Sequence, residues 1–348
     1  WAFYTIVKAH LHGDTIPWKN LMISGWCLAE DKTKMSKSKG NVVTPVELIE
    51  EQGTDAVRYW AATSRLGQDT AYSTDLLKIG KKLVTKLWNA TKFAAIHFDK
   101  LHASPTTAAG DVKAGIITEA LDLWILTRLQ RAVKKATEAF DAYEYCDALR
   151  AAEDFFWNDF CDNYLELVKK RVYAAELDSH LHAAAPAASP MEAVAFAAEE
   201  LEEVRHMRRL QQSAACTIYH ALDGILRLFA PFVPHITEEL FAHLFPASYE
   251  HTGSLHARAM WPAAANYPVN DTAEASGIAA VSILNAIRKA KSERGVSIKV
   301  PVTSLAIAPL SGTVNWELIA PIAEDLKAAG SVDALVWQAE ATPSGSMT

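Results

Sequence analysis

Lys34-Met35-Ser36-Lys37-Ser38-Lys39-Gly40-Asn41 is the stretch from which the rest of the chain is read. Its lysines are spaced by Met and Ser, and it closes on Gly-Asn, a pair that lets a backbone turn sharply. The apolar run Leu21-Met22-Ile23-Ser24-Gly25-Trp26-Cys27-Leu28 precedes it, and Thr44-Pro45-Val46-Glu47 follows. Residues 20–28 predict a strand, Thr44 an N-cap, Pro45 a first helical position and Glu47 the far side of a capping box. Both ends of the loop are thereby pinned while its cationic centre stays mobile. Its hydroxyls and N–H groups are then available to phosphate oxygens. By composition alone the same residues are an ordinary solvated lysine turn.

Working outward, Phe3, Tyr4, Val7 and Leu11 share one helical face over 1–12, with Gly13 as the expected C-cap. On the other side Gly53 ends the helix begun at Pro45, and Thr54 or Asp55 starts another that carries Val57, Tyr59, Trp60 and Ala61. From Asp75 to about Leu101 a longer helix is two-sided. Leu76, Leu77, Leu83, Leu87, Trp88 and Phe93 lie on one side, with Lys78, Lys81, Lys82, Lys86 and Lys92 largely on another. No acidic residue interrupts Lys78 to Lys92, whereas a face kept only for solubility usually mixes signs.

His102–Thr107 reads as a linker, and 176–195, rich in Ala, Pro, Ser and His, as a mobile connection. Between and after them apolar residues recur at helical spacing as far as Phe229. Pro231 and Pro234 then break the pattern before a short helix from His235 to Leu244, the pattern of an antiparallel bundle. Phe155, Phe156, Trp157, Phe160 and Tyr164 fall by default into its core, with a minority at a helix end open to stacking on bases. Beyond about 250 the order is a helix over 273–293, a strand over Val300–Ala308, a helix over 316–329 and a strand over Val332–Trp337. The basic residues Arg288, Lys289, Lys291 and Arg294 near the end of the first of these helices offset its dipole.

At 348 residues the chain predicts two or three domains, and a net charge of -7 argues against indiscriminate nucleic-acid binding without excluding a local basic face. Cys27, Cys146, Cys161 and Cys216 show no C-x-x-C pair and no zinc-like spacing with histidine, so reduced core thiols and no metal are expected. No apolar run is long enough to span a membrane, and a cytoplasmic protein without membrane or DNA partners is expected. The first residue is Trp1, which predicts a piece of a longer protein.

The lysine loop, continued through Gly40-Asn41-Val42-Val43-Thr44-Pro45 and Gly53-Thr54-Asp55-Ala56-Val57-Arg58-Tyr59-Trp60, resembles the KMSKS signature region of class I aminoacyl-tRNA synthetases. Leu123–Leu129, Asp154–Cys161 and Leu228–Leu240 are similar to the anticodon-binding helices of the valyl, isoleucyl and leucyl group. Thr63–Tyr72 is closest to the valyl pattern. The resemblance implies a mostly α chain in three parts: the end of a class I catalytic fold with its signature loop over 1–74, a helical anticodon-binding bundle over 75–249 and a small α/β unit over 250–348. It also implies ATP with Mg2+, valine and tRNA(Val) as ligands of the full enzyme. Lys37 would hold the leaving phosphates, Lys34 would assist, and Met35, Ser36 and Ser38 would complete the ATP-binding loop. Candidate tRNA contacts are Lys78, Lys82, Lys86, Arg128, Phe155 and Trp157, each with a competing reading as core or solvated surface. His-x-Gly-His, the other signature, is absent: His10-Leu11-His12-Gly13 has the wrong order, and His251-Thr252-Gly253-Ser254 lacks the last histidine. This stretch alone is therefore not expected to charge tRNA. The alternatives are a free-standing RNA-binding or assembly module and an isoleucyl or leucyl counterpart.

Overall fold

The computed structural model describes residues 1–98, 101, 105–173, 190–256, 261–308 and 315–338. Helix α1 spans Ala2–Gly13 and stops one residue later than expected, at Asp14, whose left-handed backbone (φ 46°) returns its N–H to the His10 carbonyl. None of its residues is buried, and Phe3, Tyr4 and Leu11 face solvent. The strand expected over 20–28 is realised only as β1, Cys27–Leu28, which pairs in parallel with β2, Thr70–Ala71. Helix α2, Pro45–Gln52, begins at Thr44 with Pro45 in the first turn, but no side chain caps it, so the capping box does not form. Gly53, at φ 88°, separates it from α3, Thr54–Ala62.

The long lysine helix is α4, Thr74–Phe98. Leu77, Gly80, Leu83, Leu87, Ala90 and Ala94 form its buried stripe. Trp88, expected on that side, stands a further step round the helix from Leu87 and is exposed. After α5, Ala108–Lys113, comes α6, Ala120–Asp141, the helix on which the bundle is assembled. A tight turn leads into α7, Tyr145–Asp154, which widens into a π-helical stretch over Phe155–Tyr164 before α8, Leu165–Leu167, and α9, Lys169–Tyr173. A regular 3.6-residue period does not anticipate the wide turn. It brings Phe155 and Phe160 into a stacked pair with centroids 6.4 Å apart, and both are buried with Phe156 and Tyr164.

The connection expected over 176–195 lies outside the described residues up to 189, and from Pro190 the chain is already helical as α10, Pro190–Phe229. Helices α11, Pro234–Leu244, and α12, Pro246–Thr252, follow. Helix α13, Asp271–Glu293, lies along α6 so closely that a Cβ at Gly277 would collide with the Trp124 ring. Strands β3, Val302–Ile307, and β4, Val332–Trp337, pair in parallel across α14, Trp316–Ile319, and α15, Ala323–Gly330. Ile319, Ile322 and Leu326 from this crossover join the same hydrophobic core as Trp124 and Phe156. Lys291 is not an outward-facing cation: its ammonium donates to the carbonyls of Ile298, Val300 and Gly330 at 2.7–2.8 Å and is buried.

Candidate functional site

The lysine loop folds as a single 3-10 turn over Lys37–Lys39, entered from an extended Ser36 and left through Gly40 at φ 69°. Lys39 N–H donates to Ser36 O at 3.1 Å and Gly40 N–H to Lys37 O at 3.3 Å. The Ser36 and Ser38 hydroxyls lie 2.7 Å apart beneath the turn. Lys34, Lys37 and Lys39 are exposed, and Met35 and Ser36 half-buried. Lys34 Nζ rests 4.9 Å from the centroid of the exposed Trp26 ring, a weak hold that a stronger anion would displace. Upstream, Asp31 Oδ1 accepts the Thr33 hydroxyl at 2.7 Å and the Thr33 N–H at 3.0 Å, bonds that hold its carboxyl below the usual value. The turn is thus an exposed arc of cations and hydroxyls on a hydrogen-bonded base, the chemistry of a polyphosphate clamp.

A second cationic place lies on α4. Lys78, Lys81, Lys82 and Lys86 line an open groove with Thr85, Asn89 and Trp157. Lys86 Nζ stands 5.8 Å from the centroid of the half-buried Trp157 ring. The wide turn after α7 carries Trp157 to this face while its neighbours Phe155 and Phe156 point into the core. Lys92 is exposed but does not line the groove.

Two sequence candidates are elsewhere. Phe155 is 2% exposed, within the core, and has no face to offer a base. Arg128 donates to Asp159 at 2.9 Å and to Glu274 at 3.3 Å, tying α6 to the wide turn and to α13. Burial works against its charge, but those carboxylates outweigh it and hold the guanidinium above the ordinary arginine range.

One buried cluster escaped the sequence reading. Cys216 and His220 are one helical turn apart on α10, and both reach Asp111 Oδ2, at 3.2 Å and 2.7 Å. Asp111 also accepts the Thr106 hydroxyl at 2.7 Å, and burial pushes the Cys216 thiol well up. The cluster is a hydrogen-bonded hub in which a protonated thiol donates, tying α5 and, through Thr106, the segment before it to α10.

With this geometry in place, the family described as the anticodon-binding domain of tRNA ligase matches residues 122–202 and 192–307, more than half of the chain. The chain belongs to this family. The family of class I tRNA synthetases (I, L, M and V) matches residues 1–73, the part that carries the lysine loop. This anticodon-binding family member is 44% identical over 341 residues to a valine–tRNA ligase of Rickettsia rickettsii (strain Sheila Smith), covering 97% of this chain and 37% of that protein. It is 42% identical over 337 residues to that of Ehrlichia canis (strain Jake), covering 97% and 36%. The chain therefore spans little more than a third of the curated relatives it matches. Among solved structures, the LeuRS of Agrobacterium radiobacter K84, in a ternary complex with tRNA and LeuAMS, shares the fold at a TM-score of 0.50 and 19% identity, over 78% of this chain and 28% of that one.

Among the described residues, no helix is long and apolar enough to cross a membrane. Lys78, Lys82, Lys86 and Trp157, expected as RNA contacts, lie together around one groove. Lys81, not among the expected RNA contacts, lines the same groove, and its i, i+3 spacing from Lys78 is the signal that places it there.

Proposed function

We propose that this chain is the C-terminal part of a cytoplasmic valine–tRNA ligase, supplying the loop that handles the phosphates of ATP and the helices that hold tRNA(Val). The observation that carries the proposal is identity of 42–44% held over 97% of the chain to valine–tRNA ligases, across the loop and the helices alike. In the full enzyme the carboxylate of valine attacks the α-phosphate of ATP and pyrophosphate leaves; a hydroxyl of the terminal adenosine of the tRNA then attacks the acyl carbon of the adenylate, and AMP leaves. Lys37, assisted by Lys34, neutralises the departing phosphates, with Met35, Ser36 and Ser38 shaping the turn. Lysine suits this place because a point charge on a flexible stem can follow the phosphates as bonds change.

On the helices, Lys78, Lys81, Lys82 and Lys86 neutralise tRNA phosphates, and Trp157 offers its ring to an unpaired base or a ribose edge. The test is binding of this chain to a tRNA(Val) transcript beside one with a changed anticodon. Tighter binding of the intact transcript is expected. Equal and weak binding of both would overturn the assignment of anticodon recognition to these helices.

A further inference from the structure

Asn41 closes the lysine loop but belongs to none of the groups that carry its chemistry. In an exposed Gly-Asn pair the usual expectation is a solvated turn. Here the side chain is half-buried, and its carboxamide reaches from the exit of the loop back to the entering limb, residues 33–36. Oδ1 accepts the backbone N–H of Ser36 at 2.9 Å. Nδ2 donates to Thr33 Oγ1 at 3.1 Å and to the Lys34 carbonyl at 3.3 Å. Since Thr33 Oγ1 accepts from Asn41, its own proton is directed to Asp31 Oδ1, 2.7 Å away, so the donors run in one direction from the carboxamide to the carboxylate.

Gly40 makes this possible. Its left-handed backbone turns the chain back so that the next residue faces Thr33. Nothing lies where its Cβ would stand, so the requirement there is conformational and not steric. Only a carboxamide of this length accepts from Ser36 and at the same time donates to Thr33 and Lys34 on the entering limb. Alanine loses every bond, and aspartate keeps the acceptor and loses the donors.

We propose that Asn41 is a positioning residue: its carboxamide cross-ties Thr33, Lys34 and Ser36 so that Lys34 and Lys37 are presented to one polyphosphate chain on a preformed arc. This rests on the reading of the loop as a phosphate clamp. Asn41 does not touch the phosphates; it removes the freedom that they would otherwise have to quench on binding.

The experiment uses the full chain, with inorganic tripolyphosphate as the probe, and compares wild type with Asn41→Ala, Asn41→Asp and Lys37→Ala. Backbone exchange over residues 33–41 is followed by hydrogen–deuterium exchange, and affinity across a salt series by calorimetry. Asn41→Ala should exchange about tenfold faster over this segment while the bundle helices are unchanged. It should bind tripolyphosphate about fivefold more weakly with an unaltered salt slope, because no charge is removed. Asn41→Asp should restore protection at the Ser36 amide, whereas Lys37→Ala should weaken binding and flatten the salt slope. Unchanged exchange in Asn41→Ala overturns the cross-tie. Faster exchange with unchanged affinity overturns the positioning role. Failure of wild type to bind tripolyphosphate at low salt overturns the clamp reading itself, and this proposal with it.

Discussion

Arg171 is 7% exposed and holds two carboxylates at once. Its Nη1 and Nη2 donate to the two oxygens of Asp122 at 2.9 Å, and its Nε to Asp325 at 3.0 Å. Asp122 also accepts the Tyr164 hydroxyl at 2.8 Å and the Ser213 hydroxyl at 2.6 Å. One guanidinium cannot neutralise two buried carboxylates, and Asp122 has the better share of donors. Burial therefore pushes Asp325 up to about 6, with the Arg171 charge opposing and the Asp122 charge adding. Folded protein then binds a proton at a pH where unfolded chain does not. The stabilisation is complete below the ordinary value of 3.8 and disappears as pH rises through about 6. Urea midpoints at pH 4 and pH 7 should show wild type losing on the order of 2 kcal/mol more over that interval than Asp325→Asn. A parallel loss in both would remove Asp325 from the explanation.

At the scale of elements, α3 holds the corner between α10 and α11 by gripping the ends of both helices. Asp55 accepts the backbone N–H of Ile236 at 2.8 Å and of His235 at 3.2 Å, at the N-terminus of α11, and His235 Nδ1 lies 2.9 Å away. Three residues on, Arg58 donates to Pro231 O at 2.8 Å and to Phe232 O at 3.3 Å, just past the C-terminus of α10. An anion thus meets unpaired N–H groups and a cation meets carbonyls, the arrangement that helix ends favour. Tyr59, on the next position of the same helix, donates to Glu153 of α7 at 2.8 Å. Two stretches quoted separately in the sequence, Gly53–Trp60 and Leu228–Leu240, are therefore one joint, and it connects the lysine loop's support to the bundle. Asp55→Ala and Arg58→Ala should each cost about 1–2 kcal/mol in denaturant unfolding, and the double variant should depart from their sum by at least about 0.5 kcal/mol because both act on one corner. Strict additivity would mean two independent anchors.

For the molecule as a whole, the net charge of -7 conceals a division of labour. Arg128, Arg171 and Lys291 are spent inside the fold, while Lys78, Lys81, Lys82 and Lys86 stand together on one groove. Replacing Lys81, Lys82 and Lys86 by glutamine should reduce the salt slope of tRNA binding by about one for each phosphate no longer neutralised, alike for intact and altered anticodons. Trp157→Ala should weaken binding without changing that slope. A slope unmoved by the triple variant would place the tRNA on another face. Helix α13 is packed on α6, and the family match over 192–307 runs across residue 250.

The lysine loop with its flanking glycines and proline, the helical period of α4 and α6, the break at Pro231 and Pro234 and the strand–helix–strand order of the tail were all legible in the sequence, because each depends on residues within a few positions of one another. What covers a helical face does not. Arg128 looked as free as Lys86 until Asp159, 31 residues away, took its charge, and Arg171 met its second carboxylate 154 residues away. Phe155 and Trp157 are two residues apart in the same aromatic run, yet the wide turn buries one and presents the other beside Lys86. Asn41 lay in plain view within the quoted stretch, but its three bonds required Gly40 to reverse the chain. Local pattern assigns a side chain to a face. Only the packed structure decides whether that face meets a carboxylate, a core or the solvent from which a nucleic acid arrives, because desolvation and pairing depend on neighbours brought in from far along the chain.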